Sequence, residues 1–313
     1  MTADVFVIGA GVSGLTTAIC LAEFGLKIRM MARDLPADTT SAVAGASWGP
    51  YLVEDPRVFP WSRQSLAELE SIAENERSAG VTLVHGMEAS DQDIEIPSWA
   101  LGVTGFRRCD PDELPPGYRT GWRYRIPLVD MPTYLGYLQR RLAAAAPELR
   151  IEKGVVTNLD DVAPLARIVV NCSGLGARSL VPDAELAPVR GQLVVVKNPG
   201  VEYFFQDDAE GEELTYFLPH GDHVVLGGTL TKSPSGSLEP DPVVRARIIE
   251  RCARVEPLFT DPQVITDRVG FRPTRPEIRV EREGDVIHNY GHGGSGLTLS
   301  WGCAREVLMR ATS

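Results

Sequence analysis

The feature that most constrains this chain is a glycine-rich turn, GAGVSG, directly after its first hydrophobic stretch. Gly9, Gly11 and Gly14 follow a predicted strand, Ala3–Ile8, and open a predicted helix, Ser13–Phe24. This is the context that the dinucleotide fingerprint requires: the first glycine permits a tight turn, the second lets the backbone approach a pyrophosphate, and the third lets helix and strand pack closely. The helix N-terminus then offers amide donors to the diphosphate. The turn predicts a dinucleotide site, and a strand–helix turn without a ligand is the simpler alternative.

The acidic residue expected about 20 positions after the fingerprint is Asp34, which follows Arg33. The predicted cofactor residues in this part of the chain are Gly9, Ala10, Gly11, Val12, Ser13, Gly14, Arg33 and Asp34. The fingerprint alone does not separate FAD from NAD, so an NAD-dependent dehydrogenase stays open at this point.

Strands and helices of the nucleotide-binding type occur in three separate parts of the chain. We predict an α/β fold in which residues 1–50, 132–186 and 285–313 form one discontinuous Rossmann-type domain. The intervening segments, 51–131 and 187–284, are broken by prolines or rich in antiparallel-looking strands. They predict a second, α+β domain with a mixed, largely antiparallel sheet that binds the substrate.

Charge and composition exclude several classes of protein. A formal net charge of −11 argues against a nucleic-acid partner, because phosphate binding needs a basic face. The five cysteines are scattered without a CxxC pair, which is typical of a reducing compartment, and the five histidines lack metal-ligand spacing. The sequence has no run of about 18 apolar residues, so we predict no membrane span. The chain has neither a basic leader nor a peroxisomal C-terminal tripeptide, so we expect a cytoplasmic protein without a metal.

Four further segments carry a resemblance to a known family. They are TTSAVAGASWGPY (Thr39–Tyr51), PVRGQ (Pro188–Gln192), GFRPTRPEIRVE (Gly270–Glu281) and VIHNYGHGGSGLTLSWGCA (Val286–Ala304). Together they resemble the D-amino-acid oxidase family of FAD enzymes, which includes D-aspartate oxidase. The resemblance implies that the Rossmann-type domain binds FAD and that a D-amino acid and dioxygen are converted to a 2-oxo acid, ammonia and hydrogen peroxide. A homodimer is compatible with this reading.

The resemblance also assigns residues. Arg272 would hold the substrate carboxylate with help from Tyr216, Gly294 would offer its carbonyl to the substrate amine, and Tyr51 would belong to the substrate pocket. The further cofactor residues it implies are Thr39, Thr40, Ala46, Ser47, Gly49, Val156, Gly293, Gly294, Gly296, Leu297 and Thr298. No side chain is assigned as a catalytic acid or base, because hydride passes directly to the flavin. An arginine fork suits a planar carboxylate, and loop amides suit the flavin edge where charge gathers on reduction.

Two departures from the family pattern bear on the substrate. Glu212 stands where mammalian-type members carry a lid tyrosine, inside the acidic run DDAEGEE (Asp207–Glu213), and Ser295 stands where some relatives have a tyrosine. Acidic residues at the lid would repel a second carboxylate, so we expect neutral or basic D-amino acids to be preferred; a solvated surface turn is the alternative for this run. The rival functions are a D-aspartate oxidase, a glycine- or sarcosine-type amine oxidase, and a flavin-binding protein without catalysis.

Overall fold

The computed structural model describes residues 3–50, 55–207, 211–232 and 237–313. The strands in these ranges are β1 (Ala3–Ile8), β2 (Ile28–Ala32), β3 (Val81–Ser90), β4 (Arg107–Arg108), β5 (Thr120–Val129), β6 (Ile151–Lys153), β7 (Ala166–Asn171), β8 (Ala187–Lys197), β9 (Phe204–Asp207), β10 (Glu213–His220), β11 (His223–Thr229), β12 (Thr231–Lys232), β13 (Val264–Glu283) and β14 (Val286–His292). The helices are α1 (Val12–Glu23), α2 (Val58–Asn75), α3 (Met131–Ala145), α4 (Ala177–Leu180), α5 (Pro242–Val255) and α6 (Gly296–Thr312). No helix within the described ranges combines the length and apolar character that crossing a bilayer requires.

One part of the sheet has the predicted Rossmann character. Its strands run in the order β14-β7-β1-β2-β6, and each neighbouring pair is parallel. Phe6, Val7 and Val170 are almost fully buried, as expected for parallel strands covered on both faces. All five strands lie in the three segments assigned to the cofactor domain from the sequence.

The other part of the sheet is largely antiparallel, in the order β4-β5-β3-β9-β10-β11-β8-β13, with β3 and β9 as a parallel pair. The long strand β13 joins the two parts. Residues 264–274 of β13 pair with β8, and residues 274–283 pair with β14. The mixed α/β architecture predicted from the sequence is confirmed. The domain boundaries stay a prediction, since the described strands form one continuous sheet.

Close packing between helices holds the two glycine-rich segments near each other. Helix α6, which follows β14, packs against α1 and α2. A Cβ at Gly302 would overlap the backbone of Trp61, so only glycine permits this approach of α6 to α2. Buried Trp301 donates its indole N–H to the Tyr134 hydroxyl at 2.8 Å, which also fixes α6 against α3. The start of α6 is thereby held beside the start of α1.

Candidate active site

A cavity of about 640 Å³ lies where the parallel and antiparallel parts of the sheet meet. Its wall includes the carboxyl ends of β1, β7 and β14, which is the edge where ligands bind to open α/β sheets. All predicted site residues within the described ranges line it, namely Gly9, Ala10, Gly11, Val12, Ser13, Gly14, Arg33, Asp34, Thr39, Thr40, Ala46, Ser47, Gly49, Val156, Tyr216, Arg272, Gly293, Gly294, Gly296, Leu297 and Thr298. The predicted pocket residue Tyr51 lies outside the described residues.

The first glycine turn has the geometry that the fingerprint predicts. Gly9 adopts a φ of +106°, which favours glycine, and a Cβ there would overlap the carbonyl of Cys172. A Cβ at Gly14 would overlap the carbonyl oxygen of Gly9, so helix α1 can pack on the turn only without a side chain. The Val12 amide donates to Ser41 Oγ at 3.0 Å. Ser41 also lines the cavity and was not predicted as a site residue.

The far end of the cavity is formed by residues after β2 and β6. Asp34 accepts two hydrogen bonds from the guanidinium of Arg33, at 2.8 and 2.7 Å, and the two side chains are partly exposed. Val156 lies on the same wall, next to Val155, which is 63% exposed. An acidic group after the second strand is where the fingerprint places a ribose partner.

The loop after β2 connects the two glycine-rich segments. The Gly49 amide donates to Thr298 Oγ1 at 3.2 Å, and that hydroxyl donates to the Gly49 carbonyl at 3.0 Å. Ser47 donates its hydroxyl to Gln206 Oε1 on β9, which ties the loop to the antiparallel part of the sheet. Ala46 adopts a φ of +86°, a left-handed conformation that is uncommon for a residue other than glycine. The loop after β2, strand β9 and the start of α6 therefore meet at one wall of the cavity.

The C-terminal loop bends back into the cavity at two glycines in the left-handed region, Gly291 (φ +86°) and Gly293 (φ +56°). The Gly293 amide donates to the Pro273 carbonyl at 2.9 Å, and helix α6 begins at Gly296. The first amides of a helix have no intrahelical acceptor. Leu297 and Thr298 belong to this first turn and line the cavity. That their amides donate to the flavin stays a prediction.

Arg272 lies on β13 with its guanidinium in the cavity wall. Its Nη1 donates to the Thr229 carbonyl at 2.8 Å, and no carboxylate of the described residues pairs with it. Burial lowers the pKa of Arg272. A Cβ at Gly191 would overlap the guanidinium, and a Cβ at Gly294 would lie 3.7 Å from Arg272 Cδ. A half-buried cation without an anion beside two bare glycines is a site for an anionic ligand.

Tyr216 lies on β10 near Arg272 and is half-buried. Its ring covers the backbone of Gly227 and Gly228, where a Cβ at Gly228 would lie 2.8 Å from the hydroxyl oxygen. Burial raises the pKa of Tyr216 to about 12, so the phenol is a neutral hydrogen-bond donor at physiological pH. Leu193, like Tyr216, lines the cavity. These apolar and hydroxyl groups surround the space next to Arg272.

Several of these residues were missed from the sequence. Gly191 lies in the quoted PVRGQ segment but had no role, and Gly227 and Gly228 lie in a strand whose double glycine was a visible signal. Gln206 had no local signal. Of the acidic run, Asp207 lines the cavity and burial raises its pKa to about 6, whereas Glu212 is exposed. The middle of the run, 208–210, lies outside the described residues.

Comparisons with known proteins agree with this site. The chain matches the family model described as FAD dependent oxidoreductase over residues 4–309. It is 43% identical over 318 residues to a D-amino-acid oxidase of Rubrobacter xylanophilus, covering 99% of this chain and 96% of that relative. It is 36% identical over 325 residues to human D-aspartate oxidase, covering 98% and 94%. A solved glycine oxidase from Geobacillus kaustophilus has the same fold, with a TM-score of 0.82 at 18% identity over 99% of this chain and 94% of that one.

The glycine turn, the cavity and the family match define an FAD-dependent oxidoreductase. Within that class, the chain belongs to the D-amino-acid oxidase family, as the sequence segments predicted, and FAD is its cofactor.

The described residues fit FAD. The glycines of the first turn leave a bare backbone cradle at the start of α1. Deeper in the cavity wall, Asn289 Oδ1 and His292 Nε2 are buried polar atoms with no hydrogen-bond partner among the described residues. Buried polar atoms are usually paired, so these two fit a cavity that receives a polar ligand. Burial lowers the pKa of His292 to about 4, and its ring is therefore neutral.

Proposed function

We propose that this protein is a D-amino-acid oxidase, which converts D-amino acids to 2-oxo acids, ammonia and hydrogen peroxide. The observation that carries the proposal is Arg272, a half-buried guanidinium that no carboxylate of the described residues pairs with, beside Gly294 in the FAD cavity. The chemistry that FAD supplies when bound is acceptance of a hydride from the substrate Cα and return of the two electrons to dioxygen. The near full-length identity to a D-amino-acid oxidase supports the assignment.

The protein's own contribution is position and electrostatics. Arg272 would bind the substrate carboxylate through its guanidinium fork, with Nη1 already held by the Thr229 carbonyl. The Gly294 carbonyl would accept a hydrogen bond from the substrate amine. With both ends of the amino acid held, the Cα–H bond has one orientation toward the flavin, and this orientation is the main source of rate that the chain supplies.

Four groups of residues would hold the cofactor. Gly9 to Gly14, with the start of α1, would bind the diphosphate, and Arg33, Asp34 and Val156 would lie along the adenosine part. Thr39, Thr40, Ala46, Ser47 and Gly49 would line the pyrophosphate and flavin. The backbone amides between Gly293 and Thr298 would donate to the flavin edge that gains negative charge, as preorganised donors do in an oxyanion hole.

Peroxide release from a panel of amino acids tests the proposal. We expect the purified yellow protein to oxidise D-amino acids and to leave their L-enantiomers unchanged, with catalase treatment as the control for the peroxide signal. Asp207 on the cavity wall would repel a second carboxylate, so kcat/KM for D-methionine should exceed that for D-aspartate by about tenfold. A higher kcat/KM for D-aspartate contradicts this preference.

Two alternatives are resolved by the same panel. The 36% identity to human D-aspartate oxidase favours acidic D-amino acids as the second candidate. A glycine- or sarcosine-type amine oxidase would act on glycine and secondary amines. Peroxide formation that is fastest with D-aspartate, or fastest with sarcosine, identifies these activities. A cytoplasmic location and a homodimer stay predictions of the sequence.

The hydroxyl of Tyr216 should strengthen substrate binding without taking part in hydride transfer. We expect Tyr216→Phe to raise KM for D-methionine by about ten- to a hundredfold, the effect of one lost hydrogen bond to a charged group, and to change kcat little. Because burial holds the pKa of Tyr216 at about 12, this KM effect should be constant from about pH 6 to 9. Steady-state kinetics across that pH range measure both. Tyr203→Phe is the control, since that hydroxyl binds Glu256 at 2.8 Å away from the cavity; equal KM values for both variants contradict the prediction.

A further inference from the structure

A β-bulge interrupts the pairing of β10 with β11 directly beside the substrate side of the cavity. Glu213 pairs with Thr229 and Tyr216 pairs with Gly227, so Leu214 and Thr215 together face the single residue Gly228. A bulge of this kind breaks the ladder of hydrogen bonds and changes the direction of the side chain that follows. The side chain that follows here is Tyr216.

Arg251 supplies the hydrogen bonds that the bulge removes. It lies on helix α5, and its Nη2 donates to the Leu214 carbonyl at 3.2 Å and to the Gly228 carbonyl at 3.1 Å. The Arg251 side chain is only 13% exposed, and its Nη1 pairs with Glu213 at 3.1 Å. Buried carbonyl groups need a donor, and one guanidinium nitrogen serves both carbonyls of the bulge.

Helix α5 covers the sheet face opposite to the cavity. Phe217, Val194 and Cys252 pack together on the α5 face, whereas their neighbours Leu218 and Leu193 line the cavity. The Cys252 thiol also donates to the Tyr216 carbonyl at 3.3 Å. Two consecutive residues of α5 therefore hold three carbonyl groups of the bulged segment from behind.

Consecutive carbonyls of β11 bind arginines on opposite faces of the sheet. The Gly228 carbonyl accepts from Arg251 on the α5 face, and the next carbonyl, that of Thr229, accepts from Arg272 on the cavity face. A change in the Gly228 peptide changes the direction of the Thr229 carbonyl and hence the orientation of the Arg272 fork. The same bulge also supports the Tyr216 ring, which covers Gly227 and Gly228.

We propose that Arg251 is a positioning residue for the substrate carboxylate: it holds the β10–β11 bulge from the α5 face and thereby fixes Arg272 and Tyr216 in the cavity. This inference rests on the proposed function, because it requires that Arg272 binds the substrate. Arg251 acts through backbone carbonyls and is not among the described residues of the cavity wall.

The test compares Arg251→Met with Arg247→Met. Arg247 lies one turn earlier on α5 and approaches the same Glu213, at 3.7 Å, but its side chain is 62% exposed. We expect Arg251→Met to raise KM for D-methionine, and the Kd of the 2-oxo acid product measured by flavin absorbance, by about tenfold, with kcat and FAD affinity within about twofold of wild type. Arg247→Met should leave all four quantities unchanged.

Arg251→Lys separates the hydrogen bonds that Arg251 donates to the bulge from a simple effect of its charge. Lysine keeps the positive charge near Glu213 but lacks the planar fork, so we expect KM to stay raised about fivefold or more. A wild-type KM in Arg251→Lys overturns the proposal, as does a KM within about twofold of wild type in Arg251→Met. If Arg251→Met does not fold, the lysine variant decides alone, with its Tm as the check that it is folded.

Arg272→Met distinguishes failure of this inference from failure of the proposed function. An unchanged KM in Arg272→Met would show that Arg272 does not bind the substrate carboxylate, and it would contradict the proposed function whatever the Arg251 variants show. A large loss of kcat/KM in Arg272→Met, combined with wild-type kinetics in both Arg251 variants, would contradict the positioning role of Arg251 and leave the proposed function in place.

Discussion

Replacing Arg272 by methionine should lower kcat/KM for D-amino acids by about a thousandfold, the loss expected when one member of a buried charge pair is removed. The guanidinium lies in the cavity wall beside Gly294, where it can neutralise the substrate carboxylate, and partial burial lowers its pKa. Without it, the carboxylate would enter the cavity with no partner. Most of the loss should appear in KM, because the carboxylate is bound both before and during hydride transfer.

Arg272→Lys and Arg282→Met are the comparisons for this result. Lysine keeps the charge without the bidentate fork, so its kcat/KM should lie between those of wild type and Arg272→Met. Arg282 is an exposed arginine on the same strand, and its replacement should leave the kinetics unchanged. Flavin content should be equal in all four proteins. A wild-type kcat/KM in Arg272→Met would show that Arg272 does not bind the substrate carboxylate.

Replacing Gly14 by alanine should prevent stable FAD binding, with the apparent Kd for FAD raised by about 100-fold or more. The added Cβ would overlap the backbone oxygen of Gly9, and backbone atoms cannot rotate away as a side chain can. Helix α1 must then shift from β1, and its first amides leave the position from which they meet the diphosphate. The protein should purify colourless, and its Tm should fall because FAD binding stabilises the folded state.

Gly136→Ala is the matched control for the Gly14 variant. Gly136 is also a glycine inside a helix, but a Cβ there meets only the end of the Arg140 side chain, at 3.5 Å. Alanine is the better helix former, so this variant should be at least as stable as wild type and should bind FAD normally. The flavin-to-protein ratio and a titration of the apoprotein with FAD measure both variants. A yellow Gly14→Ala protein with a wild-type ratio contradicts the prediction.

The local elements of the cofactor part follow closely from hydrophobic pattern and glycine spacing. The predicted first strand, Ala3–Ile8, has the bounds of β1, and the predicted helix after it corresponds to α1. The last strand, predicted from VIHNY, is β14. Such features are local: a buried parallel strand needs a continuous apolar run, and a tight turn under a helix N-terminus needs glycine at set positions.

The substrate side was harder to predict because its residues meet through sheet pairing. Arg272 and Tyr216 were assigned only through the family resemblance. Nothing in the sequence around either residue shows that Gly191 makes room for Arg272 or that Gly228 makes room for Tyr216. Gln206 reaches Ser47 across 159 positions of sequence. The register of β10 against β11, and with it the bulge, depends on pairing energies summed over both strands rather than on any one residue.

The sequence by itself determined the dinucleotide-binding strand and turn and, through its resemblance to a family, the family and the FAD cofactor; its predicted site residues within the described ranges all line the cavity but form less than half of the wall. Each of these is encoded in short segments whose residue types have one physical use, such as glycine where a Cβ would strike the backbone. Only the tertiary structure decided that Arg272 has no carboxylate partner among the described residues and that Arg251 supports it from the other face of the sheet. Both facts depend on which residues the folded sheet brings together from distant parts of the sequence, and that information is carried by no single segment of the chain.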